Sequence, residues 1–183
     1  MMSQMGRDRE DLAATRTPAT MPRCTVLFVC TGNICRSPMA EVAFRSICDA
    51  TRRRDGGVLS DVVVVASAGT ANWHVGSDMD PRARSALDAA GFSGSGTPAA
   101  QVSVDLLNQA DAAVALDRGH LADLRALAPP SVELSLLLEW DGAARDLEVA
   151  DPFYGSVKQF DACLERIVGG CEALAVALAA RLD

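Results

Sequence analysis

The sequence predicts an α/β fold of three layers (αβα), with helices on both faces of a four-stranded parallel sheet. Two observations carry that expectation. Apolar segments of strand length alternate with segments of helical period along the whole chain. The strand segments are apolar throughout rather than at every second residue, as strands covered on both faces are. With 183 residues, 49% of them apolar, the chain has the size of one domain with a sizeable core.

Residues 1–22 show no periodicity and are expected to form a disordered extension, leaving 23–183 as the folded domain. "CTVLFVC" (24–30) is the first strand. The first helix follows a short loop, with Ala40, Ala43, Phe44, Ile47 and Cys48 at helical spacing. Ser37 suits its cap and Pro38 its first turn, where a missing N–H costs nothing. "DVVVVASAGT" (61–70) is the second strand. Asp80-Pro81 opens a helix that Gly91 stops, and "GFSGSGTPAAQ" is loop. "ADAAVALD" (110–117) is the third strand, followed by a helix over 118–127 that ends before Pro129-Pro130. "SVELSLLL" (131–138) is the fourth. A last helix over 157–181 carries Phe160, Leu164, Ile167, Cys171, Leu174 and Leu178 on one face, and Gly169-Gly170 is expected to interrupt it.

A net charge of −7 argues against a nucleic-acid partner. No apolar run is long enough to span a bilayer, so no membrane partner is expected. The N-terminal stretch lacks the apolar core of a signal peptide; a cytoplasmic location is expected, with export by another route left open. A monomer is expected. The six cysteines are expected to be reduced thiols in such a compartment. Cys24, Cys48, Cys163 and Cys171 are expected in the core, and His74, His120 and the Arg52–Arg54 run on the surface.

The stretch "VLFVCTGNICRSPMAE" (26–41) is dense in special residues. Its loop follows the first strand, at the carboxyl edge of the sheet where ligands of such folds sit. Cys30-Thr31-Gly32-Asn33-Ile34-Cys35-Arg36, leading into a helix, can converge its backbone N–H groups into a nest for a tetrahedral anion. Gly32 and Asn33 tolerate the left-handed backbone that such a loop needs. Arg36 offers paired donors to phosphate oxygens. The same positive field favours a thiolate, which makes Cys30 a nucleophile at the base of a phosphate-binding loop. The skeleton C-x5-R alone is weak: "CDATRRR" (48–54) repeats it without glycine or a preceding strand. An ATP-type phosphate loop fails for want of Gly-Lys-Ser/Thr. Cys30 and Cys35 have an allowed zinc spacing, but no second ligand pair accompanies them, so no metal is expected.

"VCTGNICRSPMAE" resembles the signature of low-molecular-weight protein tyrosine phosphatases, bacterial and particularly actinobacterial members. "SAGTANWHVG" (67–76), "DPRA" (80–83), "ALDRGHL" (115–121) and "DPFYG" (151–155) resemble further family blocks in the same order. The resemblance implies hydrolysis of phosphotyrosine in protein substrates through a phosphocysteine, without metal or cofactor. Cys30 would be the nucleophile, Arg36 the phosphate ligand, and Asp151 the general acid and then base. Ser37 would hydrogen-bond near the thiolate, Asn33 would hold the loop, and Trp73, Phe153 and Tyr154 would wall the cleft. Cys35 is open between a redox partner of Cys30 and a filler of the helix start. Many members carry a histidine just before the A-x-Q segment that helps to orient the loop serine; Thr97 stands there, which implies a softer hold on Ser37. Two other activities are weighed within this resemblance. A protein-arginine phosphatase would carry threonine where Ile34 stands, and a thiol-dependent arsenate reductase would need cysteines that 78–130 lacks.

Overall fold

The computed structural model describes residues 23–182, so the expected N-terminal extension lies outside the described residues. Four parallel strands form one sheet: β1 (Cys24–Cys30), β2 (Val63–Gly69), β3 (Ala112–Ala115) and β4 (Glu133–Leu136). They stand in the order β2-β1-β3-β4. Chain order therefore runs from β1 to one side and then crosses to the other, which makes the carboxyl end of β1 the switch point of the sheet.

Alternate residues of β1 feed two cores. Val26, Phe28 and Cys30 pack under α1 (Arg36–Ala50), α2 (Pro81–Ala89) and α5 (Val157–Arg181). Leu27 and Val29 join Leu121 and Leu124 of α4 (Arg118–Leu127), on the opposite face. That is the period-two geometry of a strand buried on both sides. Phe28 and Phe44 meet edge to face, ring centroids 5.3 Å apart, and both are fully buried. Truncating either to alanine costs about 3–5 kcal/mol.

β1 has the expected bounds, whereas β2, β3 and β4 are shorter than expected; a tight helical turn at Leu59–Asp61 precedes β2 and another at Leu137–Glu139 follows β4. A short helix, α3 (Val104–Leu107), forms where none was expected; the Ser103 hydroxyl caps it by accepting from the Leu106 N–H. Gly169-Gly170 does not interrupt α5, which runs unbroken for 25 residues. Gly170 instead permits close packing: a Cβ there would lie 2.7 Å from Cγ of the buried Leu137, whereas one at Gly169 meets nothing. Ser37 is not the cap of α1. Arg36 is the first helical residue and Cys35 precedes it, so Ser37 turns inward with its hydroxyl free for the site.

Candidate active site

The loop 31–35 leaves β1 and enters α1 at Arg36. Among the described residues, the N–H groups of Gly32, Asn33, Ile34 and Cys35 donate to no protein acceptor. With the N-terminus of α1 behind them, they form donors for an anion. Asn33 alone carries the left-handed backbone, at φ 55°. Gly32 does not share it; its need is for space, since a Cβ would approach His74 Cδ2 at 3.0 Å. Gly69 at the end of β2 is tighter still, for a Cβ there would lie 2.5 Å from the Thr31 carbonyl oxygen.

A cleft of about 220 Å³ opens over the loop, lined by Cys30, Thr31, Gly32, Ile34, Cys35, Arg36, Trp73, His74, Asp151, Phe153 and Tyr154. Ten of the twelve residues expected at the site line it. The other two, Asn33 and Ser37, lie buried behind the loop. His74 was not expected and faces Phe153 across 6.4 Å. Trp73 and Tyr154 are exposed at the rim. Arg82 fixes the far wall: its guanidinium stacks on Phe153 and Phe160 and donates to the Gly155 carbonyl oxygen, while Asp80 pairs with it. The hydrogen bonds from Arg82 hold the Asp80 carboxyl below the usual range.

Arg36 is buried and fully engaged at one end. Nη1 donates to Asp117 Oδ2 at 2.8 Å and to the Val149 carbonyl oxygen at 3.0 Å, and Nη2 donates to Asp151 Oδ2 at 2.7 Å. A guanidinium has five N–H donors, so two remain for a ligand. Asp151 also accepts from the Phe153 N–H, which shapes the turn after it. Asp117 was not foreseen as a partner of Arg36. Burial alone raises its carboxyl, but the His120 N–H and ring together with Arg36 hold it below the usual range.

Behind the loop runs a directed chain of hydrogen bonds. Asn33 Oδ1 accepts from the Ala100 N–H, which fixes the amide, so Nδ2 donates to both Ser37 and Ser67, each at 2.9 Å. The Ser67 hydroxyl donates to Glu41 Oε2 at 2.5 Å. Ser37 therefore keeps its single proton for one of two acceptors, Cys30 Sγ at 3.0 Å or the Ala68 carbonyl oxygen at 3.1 Å. Glu41 is wholly buried and anchors the chain. Thr97 donates to it at 3.1 Å and Arg45 at 2.6 Å. Thr97 thus joins the network that reaches Ser37 through Glu41, Ser67 and Asn33. Glu41 and Ser67 stand at the edges of two motif stretches, 26–41 and 67–76, but their contact with each other is long-range and no local pattern signals it.

Burial pushes the thiols of Cys35, Cys48 and Cys163 up to about 12 and raises that of Cys171 well above the usual thiol range. Cys48 is packed inside the core, so the second C-x5-R run has no loop to serve. Arg53 is buried against Asp55 and the Leu182 carbonyl oxygen, not solvated as expected. His120, expected on the surface, is buried beneath the loop. Among the described residues no cluster of three or more His, Cys, Asp or Glu side chains could hold a metal, and no helix is long and apolar enough to cross a membrane.

The family model for low molecular weight phosphotyrosine protein phosphatase matches residues 25–183. The chain belongs to that family. It is 41% identical to a low molecular weight protein-tyrosine-phosphatase of Streptomyces coelicolor, over 86% of this chain and 95% of the relative. It is 46% identical to low molecular weight protein-tyrosine phosphatase A of Mycobacterium tuberculosis, over 74% of this chain and 80% of that one. Among solved structures, YfkJ of Bacillus subtilis superposes with a TM-score of 0.74 at 33% identity, covering 85% of this chain and 94% of the other. A protein tyrosine phosphatase of Entamoeba histolytica superposes with a TM-score of 0.76 at 27% identity, covering 85% and 96%.

Proposed function

We propose that this phosphatase hydrolyses phosphotyrosine in proteins, and aryl phosphates generally, through a phosphocysteine on Cys30. One observation carries the reading: Cys30, Arg36 and Asp151 share a cleft walled by aromatic side chains, although Arg36 and Asp151 stand 115 positions apart in the chain.

In this reading the phosphoryl oxygens sit on the loop N–H groups and on the two remaining donors of Arg36. The Cys30 sulfur attacks phosphorus in line. As the sulfur–phosphorus bond forms, the bond to the phenolic oxygen breaks, and Asp151 gives that oxygen its proton. Asp151, now a carboxylate, takes a proton from water. The water oxygen attacks phosphorus and expels the Cys30 thiolate, which receives the Ser37 proton as a hydrogen bond. Phosphoryl transfer depends mostly on positioning and charge stabilisation, and the nest with Arg36 supplies both. Trp73, Phe153 and Tyr154 favour a flat aryl group, and Ile34 in the same lining supports phosphotyrosine over phosphoarginine.

Cys30→Ser abolishes turnover of an aryl phosphate in this reading, and retained turnover refutes it. Asp151→Asn slows phosphotyrosine hydrolysis by about 10²–10⁴. It slows p-nitrophenyl phosphate less, because that leaving group needs less help from a proton.

A further inference from the structure

His120 does not line the cleft, yet it touches the support of the loop at both ends. Asp117 caps α4 and divides its carboxylate: Oδ1 accepts from the His120 N–H at 2.9 Å, and Oδ2 accepts from Arg36 at 2.8 Å. The His120 ring is buried. Its Nε2 lies 2.8 Å from Thr31 Oγ1, and its Nδ1 lies 3.0 Å from Asp117 Oδ1, out of line for a hydrogen bond. Thr31 directly follows Cys30, and Arg36 closes the loop. A single helical turn therefore holds the first residue of the loop through His120 and the last through Asp117.

We propose that His120 is a positioning residue for the phosphate site, fixing Thr31 against Asp117 and so the placement of Arg36 relative to Cys30. The proposal rests on the loop being the phosphate site. The Asp117 carboxylate beside Nδ1 favours the proton on that nitrogen, which leaves Nε2 to accept from the Thr31 hydroxyl. Burial is the largest influence on the ring and favours its neutral form; Arg36 acts the same way, against Asp117, Asp151 and Asp123. A neutral ring keeps Nε2 an acceptor.

The test compares three variants by inhibition with inorganic phosphate, by kcat/KM on p-nitrophenyl phosphate and by thermal melting. His120→Ala removes the Thr31 contact and weakens phosphate inhibition and kcat/KM about three- to tenfold, the worth of one hydrogen bond. His120→Gln carries a polar atom to the place of Nε2 and restores both. His120→Asn reaches only the place of Nδ1 and does not. If the alanine variant fails to fold, the contrast between Gln and Asn decides. Equal impairment of Gln and Asn overturns the proposal, and so does a lowered Tm in all three variants with unchanged phosphate inhibition. A wild-type enzyme on which phosphate does not compete at all overturns the phosphate-site reading, and this inference with it.

Discussion

Gly69→Ala tests how closely the sheet supports the loop. The new methyl would lie 2.5 Å from the Thr31 carbonyl oxygen, 3.0 Å from the Asn33 nitrogen and 3.1 Å from the Gly32 carbonyl carbon, all backbone atoms. The strand cannot retreat. Gly69 donates to the Ala100 carbonyl oxygen and accepts from the Val102 N–H, each at 2.8 Å, and the next residue donates to the Cys30 carbonyl oxygen. The loop must yield instead. Reaching an ordinary contact takes a shift of about 0.5–1 Å, the scale at which catalytic geometry is lost. A displacement near 1 Å can cost about 10²-fold in rate. We therefore expect kcat/KM on p-nitrophenyl phosphate to fall about 10- to 100-fold. Overpacking costs about 1–3 kcal/mol of stability. At about 2–4 °C per kcal/mol for a domain of this size, Tm falls by about 2–12 °C. Gly32→Ala is the control, since its obstacle is the edge of the His74 ring at 3.0 Å, a side chain that can rotate. Its kcat/KM falls less than that of Gly69→Ala. A Gly69→Ala enzyme with wild-type kcat/KM and Tm, or one no worse than Gly32→Ala, refutes the reasoning.

The paired glycines of α5 are expected to respond with opposite sign. Gly169→Ala gains helix propensity, about 1 kcal/mol, and raises Tm by about 2–4 °C. Gly170→Ala drives a methyl into the buried Leu137 and lowers Tm; parallel melts of the two variants check this, and two rises contradict it. Acidification should destabilise the fold through His120. The unfolded ring takes up a proton as pH falls through about 6.5, while burial keeps the folded ring neutral to lower pH. The unfolded state then binds more protons, so stability falls from about that pH downward, and His120→Gln flattens the slope of Tm against pH. The lowered carboxyls of Asp80 and Asp117 add a separate loss only at lower pH, below their ordinary value of 3.8. Iodoacetate near neutral pH should label Cys30 and spare Cys35, Cys48 and Cys163. At pH 7 a thiol pushed up to about 12 is ionised to only about one part in 10⁵, and peptide mass mapping shows where the label lies.

The sequence by itself determined the alternation of strand and helix and the loop after β1, while Trp73, Asp151, Phe153 and Tyr154 are named only through the resemblance of their blocks to a family. The alternation and the loop are legible because each rests on local chemistry: an apolar run of strand length, a Pro at a helix start, or Gly and Asn between a strand and a helix. The structure decided what local pattern does not carry. Gly169-Gly170 resembles a break, yet α5 continues, because contact with Leu137 outweighs the weak helix propensity of glycine. Ser37 resembles a cap, yet it lies inside α1 and faces Cys30, because the helix begins at Arg36, two residues before a Ser37 cap would start it. His120, Asp117, Glu41 and Ser67 all lie in stretches that resemble family blocks, yet nothing local assigns them a partner. Ser67, Asp117 and His120 reach the loop because the order β2-β1-β3-β4 brings the ends of β2 and β3 to either side of β1, and Glu41 of α1 meets Ser67 there. Which buried polar group faces which is a property of that packing. Each must find its partner once water is excluded, and the partners come from segments far apart in the chain.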